Sequence, residues 1–147
     1  MRISTKGSYA LEAMIAIALT DSLHAVSIRE ISVRTRISDK YLEQIFSLLK
    51  KKKLLVGIRG AGGGYRLARD AAKITAGDII RAAEISISPV VCVNDPKSCP
   101  RSEACVTRVV WSRLDNTISE TLDHISLLQL KDAFVSEREN ISDYFSI

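Results

Sequence analysis

Apolar residues between positions 5 and 20 recur at helical intervals on nearly every side. Tyr9, Ala10, Ala13, Met14, Ile17 and Ala18 form one face, and Leu11, Ile15 and Leu19 form another. A helix apolar all round has to be covered by its neighbours, so this segment is predicted to be a central helix. After the polar loop DSLHAV, Ser27-Ile28-Arg29-Glu30 has capping-box spacing. The serine oxygen accepts from the N3 amide while the glutamate reaches back to the cap amide, and a short second helix should run to about Thr35. Ser38 is the next N-cap. In the segment DKYLEQIFSLLKK that follows, Leu42, Ile45, Phe46 and Leu49 share a face toward the core, while Lys40, Glu43, Gln44 and Ser47 share the outward face. Two short capped helices joined by RISD read as a helix-turn-helix.

Leu54 to Arg59 and Tyr65 to Leu67 have strand character on either side of RGAGGG, whose glycines permit a tight reversal; two strands after a helix-turn-helix make a wing. Thr75 caps a further helix, with Asp78 at the acid-favouring N3 position, running to about Glu84. A polar, proline-containing loop follows, then a long pattern from about Ala104 to Asp123. In it Val106, Val110, Leu114, Ile118 and Leu122 recur every fourth residue, with Val109, Trp111 and Ile125 beside them. That stripe is too long for a domain of this size to cover, so it is expected to pack on a second subunit. Ser126 and Gln129 cap a last short helix expected to end near Val135, and the tail from Arg138 carries no strong signal. The fold class predicted is mainly α with a small β-hairpin wing: a winged helix-turn-helix plus a long dimerisation helix. The expected divisions are a DNA-binding domain at 1–84, a cysteine-containing sensor loop at 85–105, the dimerisation and C-terminal helices at 106–137, and a tail at 138–147.

Charge sharpens this division. Residues 1–70 carry 13 Lys and Arg against 6 Asp and Glu, and residues 71–147 carry 8 against 11, within a net charge of +4 over 147 residues. The basic half is the candidate for binding a polyanion. No apolar run reaches the roughly 18 residues of a membrane span. Glu12 interrupts the apolar N-terminal segment and no small-residue cleavage site ends it, so a cytoplasmic protein without a membrane partner is expected.

The outward residues of the third helix are placed as a recognition helix would place them. Gln pairs with adenine, Glu accepts from cytosine, and Lys reaches guanine or phosphate. Lys50 to Lys53 lie between this helix and the wing, where phosphate contact by one or two of them competes with a merely solvated charge run. Arg59 at the wing turn suits a narrow minor groove, and Arg2, Ser4, Lys6 and Tyr9 suit backbone phosphates. A nucleotide-binding P-loop is disfavoured, because GAGGGY lacks the GK[ST] ending and a following helix. His24 and His124 have no partner at metal-like spacing, and no Ser/His/Asp set or catalytic carboxylate pair is present. The chain is therefore read as having no enzymatic activity and no small-molecule substrate. All three cysteines, Cys92, Cys99 and Cys105, fall in CVNDPKSCPRSEACVTR. Their odd number argues against a secreted disulfide framework, their polar flanks against simple burial, and their spacing against structural zinc. A cluster on soft thiolates needs four ligands, of which the loop supplies three.

The start MRISTKGSYALEAM, the helix ISDKYLEQIFSLLKK, the wing GIRGAGGGYRLARD, the segment ITAGDIIRAAE and the cysteine loop ending in CVTR together resemble the IscR group of bacterial iron–sulfur transcription regulators and its wider winged-helix family. The resemblance spans nearly the whole chain. It implies a homodimer on double-stranded DNA and an iron–sulfur cluster, 2Fe-2S ahead of 4Fe-4S, on Cys92, Cys99 and Cys105. It also implies base reading by Glu43 and Gln44, with Ser38, Lys40, Tyr41, Arg59 and Gly60 completing the interface. Lys40 replaces a small polar residue of the group and is expected to alter or broaden the preferred site. Arg108 stands where that group carries a liganding histidine. A guanidinium stays protonated and does not bind iron. Relatives that take the fourth ligand from the partner's first helix would find Ser8 there, which leaves the fourth ligand unassigned. Two alternatives to cluster sensing are a metal-free thiol redox switch and a regulator controlled by docking of a partner protein.

Overall fold

A computed structural model describes residues 3–145, with side chains placed through residue 139; Arg2 lies outside the described residues. Seven α-helices and one hairpin follow in the order α1 (Thr5–Ala18), α2 (Ile28–Thr35), α3 (Asp39–Lys51), β1 (Leu55–Ile58), β2 (Gly64–Leu67), α4 (Ala76–Ala83), α5 (Val91–Asn94), α6 (Thr107–Asp123) and α7 (Leu127–Phe145). The architecture is the expected one, mainly helical with a two-stranded antiparallel hairpin.

α1 is central, packing against α2, α3, α4, α7 and β2. Its small residues Gly7, Ala10, Ala13 and Ala16 are buried, which lets neighbouring backbones come close, and Met14 and Ile17 fill the core between them. α2 and α3 begin as their caps dictate. Glu30 N–H donates to Ser27 Oγ at 3.2 Å while the Glu30 carboxylate accepts from Ser27 N–H at 3.0 Å, and Tyr41 N–H donates to Ser38 Oγ at 3.2 Å. α3 buries Leu42, Ile45, Phe46 and Leu49 and exposes Lys40, Glu43, Gln44 and Ser47. Thr75 and Asp78 close a second capping box at α4, and Ser126 and Gln129 exchange the same pair of bonds at 3.1 and 2.9 Å before α7.

The turns flanking α3 are tight. Arg36 after α2 and Lys53 after α3 adopt the left-handed conformation at φ 62° and 59°, the only non-glycine residues that do so among those described. In the wing, Leu55 pairs with Leu67 and Ile58 with Gly64. Tyr65 also exchanges backbone hydrogen bonds with Val26 at 2.7 and 2.8 Å, which ties the hairpin to the segment before α2. Gly64, at φ 149°, lies so close to the Val26 carbonyl that any β-carbon there would collide with it.

Two expectations are corrected. The last helix continues to Phe145 instead of ending near Val135, so the segment from Arg138 to Phe145, which carries no strong signal in the sequence, is helix. Arg138 lies over the Phe134 ring one turn earlier, 5.5 Å from its centroid, a local contact that favours continued helix. The cysteine loop also holds structure of its own: α5 is followed by a 3-10 turn at Pro96–Ser98, and the hydroxyl of buried Ser102 donates to the Pro96 carbonyl at 2.6 Å.

Candidate nucleic-acid interface and cysteine loop

α3 and the wing present the predicted polar residues without intramolecular partners for their charges. Among the described residues, none of Lys40, Lys50, Lys51, Lys52, Lys53 or Arg59 takes part in an ion pair. All six are exposed, so their charge is available to a polyanion. Arg59 and Gly60 sit at the tip of the hairpin, where Gly60 at φ 99° and a Gly63 N–H to Gly60 carbonyl bond of 2.9 Å close the turn. Tyr41, at the start of α3, is half-buried and packs edge-on against Tyr9 of α1, with centroids 5.5 Å apart. That contact brings Tyr9 beside α3.

Ser4 departs from expectation. Its amide and hydroxyl both donate to Glu84 Oε1, at 2.8 and 2.6 Å, and its Oγ accepts from Gly7 N–H at 3.4 Å as the cap of α1. With both donors spent on a carboxylate 80 residues away, Ser4 has none left for a phosphate; of the described members of the N-terminal set, Lys6 and Tyr9 remain. Ser38 differs, because its oxygen only accepts and its hydroxyl proton stays free. Sequence reasoning missed Glu84 and the cation at Arg36. Glu84 gave no local signal, whereas Arg36 lies in the RISD turn and was readable as a basic residue beside the recognition helix.

The cysteine loop joins the basic half to α6. Cys92 lies on α5, Cys99 follows the 3-10 turn and Cys105 precedes α6; all three are half-buried free thiols. Cys105 Sγ stands 3.1 Å from Thr107 Oγ1. That hydroxyl first, then the Arg108 amide, holds the Cys105 thiol below its ordinary range. Among the described residues, no three His, Cys, Asp or Glu side chains stand together as a site for one metal ion, so the thiols lie in an open arrangement. The three free thiols on one segment are soft donors of the type a metal group takes, although a cluster needs four ligands and the segment supplies three. The loop would have to close to bring them together. His24 and His124 are exposed and contact Asp21 at 3.3 Å and the Glu120 carbonyl at 2.6 Å.

α6 is amphipathic in an unusual sense. Arg108, Ser112, Asp115 and Ser119, with Ile118 and Leu122, form its half-buried face, and Ser88 Oγ donates to Asp115 at 2.5 Å. Val106, Val109, Val110, Trp111 and Leu114 are exposed. Its C-terminal end is fixed to α4 by Arg81 and Asp123, whose paired bonds measure 2.6 and 3.0 Å. The Arg81 hydrogen bonds hold the Asp123 carboxyl below its usual range. No described helix is long and apolar enough to cross a membrane.

A family model, Rrf2, described as iron-dependent transcriptional regulator, matches residues 3–133. The HTH-type transcriptional regulator IscR of Sodalis glossinidius is 42% identical over 88% of this chain and 78% of its own. Among solved structures, CymR, the global cysteine regulator of B. subtilis, superposes with a TM-score of 0.74 at 38% identity, covering 90% of this chain and 98% of that one. The T. potens IscR superposes with a TM-score of 0.71, also at 38% identity, covering 90% and 88%.

Proposed function

Since the chain belongs to the Rrf2 family of transcriptional regulators, and is a DNA-binding regulator rather than an enzyme, we propose that it works as a homodimer reading double-stranded operator DNA through α3 and the wing, with its affinity set by an iron–sulfur cluster on Cys92, Cys99 and Cys105. The observation that carries this reading is where the cysteine loop lies. α5 packs on α6, α6 is fixed to α4 through Arg81 and Asp123, and α4 packs on both α1 and α3. A loop that closes or opens therefore has a continuous packed route to the recognition helix. Whatever orders the loop biases α6, and α6 biases the spacing of two recognition helices. Bound iron–sulfur supplies redox and oxygen sensitivity; the chain supplies three thiolates and the coupling.

Anaerobic purification followed by iron, acid-labile sulfide and absorption measurements tests the cluster. Bound iron and sulfide with visible charge-transfer bands are expected; their absence after anaerobic reconstitution overturns it. The free thiols, not grouped as a metal site among the described residues, favour a second reading, a metal-free thiol switch or control by a docked partner protein. Loss of two titratable thiols on peroxide treatment, without iron, favours the first form. Regulation that survives Cys→Ser change at all three positions favours the second.

For DNA, we assign Glu43, Gln44 and Lys40 to bases, Arg59 with Gly60 to the minor groove, and Ser38, Tyr41, Lys6 and Tyr9 to the backbone. Gln44→Ala and Arg59→Ala are each expected to weaken operator binding by about 1–3 kcal/mol. Fluorescence anisotropy at several salt concentrations checks this. Gln44→Ala should leave the salt slope unchanged, while Arg59→Ala should flatten it by about one unit. Wild-type affinity in both variants would remove the assignment.

A further inference from the structure

A cavity of about 630 Å³ lies where the C-terminal end of α1, the end of β2 and the first turns of α7 meet. That volume falls within the roughly 300–1,000 Å³ of small-molecule sites. Ile17 of α1, Leu67 of β2 and Leu128 of α7 give the cavity apolar surface. Its charged groups are unequally engaged. Asp21 Oδ1 accepts from Leu23 N–H at 3.1 Å while its Oδ2 stands 3.3 Å from His24 Nδ1, and Asp70 Oδ1 accepts from Ala72 N–H at 2.9 Å. Arg69 is paired at 3.6 Å with Asp78, which lies outside the cavity. Arg66 and Lys131 also line it, and among the described residues neither takes part in an ion pair. Two free cations beside apolar surface suit a ligand that brings both an anionic group and an apolar body. A neutral apolar ligand would leave the cations unpaired, and an inorganic anion would leave the apolar wall uncovered.

We propose that this cavity binds a small amphipathic organic anion, its charged group held by Arg66 and Lys131 and its apolar body against Ile17, Leu67 and Leu128. An occupant would touch β2, the strand whose Tyr65 packs on Phe46 of α3 with ring centroids 4.8 Å apart. The site uses no residue of the cysteine loop or of the outward face of α3, so it holds or fails independently of the cluster and operator readings.

The probe is 8-anilinonaphthalene-1-sulfonate, titrated against the full chain by fluorescence beside N-phenyl-1-naphthylamine, which has the same apolar body and no sulfonate. Circular dichroism confirms the fold of each variant. Wild type is expected to bind the sulfonate saturably, about tenfold more tightly than the neutral dye, the worth of one charge-assisted hydrogen bond. The double variant R66M/K131M should lose that tenfold preference and keep its affinity for the neutral dye. Leu128→Trp, which fills the cavity from α7, should weaken both dyes. Equal sulfonate affinity in wild type and R66M/K131M overturns the proposal. Unchanged binding of both dyes in Leu128→Trp also overturns it, since they would then sit on other apolar surface such as the stripe of α6. If R66M/K131M does not fold, Leu128→Trp decides alone.

Discussion

Phe46→Ala is expected to lower the stability of the chain by about 3–5 kcal/mol, read from the midpoint of urea unfolding. Phe46 is fully buried on the inner face of α3. Its ring meets Tyr65 of β2 edge-on, with centroids 4.8 Å apart and planes at 63°. Truncation removes the transfer energy of the ring, leaves a cavity that α1 and α3 cannot fully collapse, and forfeits the aromatic pair. The loss is a large share of the roughly 5–15 kcal/mol typical of a domain. The same contact joins α3, the proposed recognition helix, to the wing, so the folded fraction of the variant should also bind DNA less tightly. Phe46→Leu should restore most of the stability and less of the affinity. A change under about 1 kcal/mol in Phe46→Ala would show that the joint lies elsewhere.

If the proposed dimer forms through α6, Val110→Asp is expected to convert it to monomer and to weaken operator binding by a factor of roughly 10²–10⁴, the avidity lost when two linked half-site contacts become independent. Val110 is 58% exposed at the middle of the apolar stripe of α6, so the substitution disturbs nothing inside the protomer. Buried in a subunit interface, an unpaired carboxylate would be strongly unfavourable. Sedimentation velocity and operator titration check the two effects together. A dimer that persists with wild-type affinity would place the subunit contact on another face.

Much of this was readable from residue order, for identifiable reasons. Ser27 with Glu30, Thr75 with Asp78, and Ser126 with Gln129 fix helix starts by bonds within one turn, and such bonds need no tertiary information. The two faces of α3 were legible because Leu42, Ile45, Phe46 and Leu49 repeat at the helical period. α7 was underestimated because SEREN has no apolar repeat; its persistence comes from helix-compatible charged residues and the Arg138 contact with Phe134. α5 was too short to leave a periodic signal. The engagement of Ser4 by Glu84 and the orphaned Nε–H of Arg108 depend on elements far apart in the chain or on packing between them, and no local pattern encodes either.

The left-handed turns at Arg36 and Lys53 bracket α3, and each carries a cation where glycine would relieve roughly 1–2 kcal/mol of backbone strain. The helix proposed to read DNA is thus flanked by two positions at which stability and polyanion affinity would compete. Replacing both with glycine would make a sturdier scaffold and a poorer regulator, so thermostability is the wrong quantity to optimise in this half of the molecule.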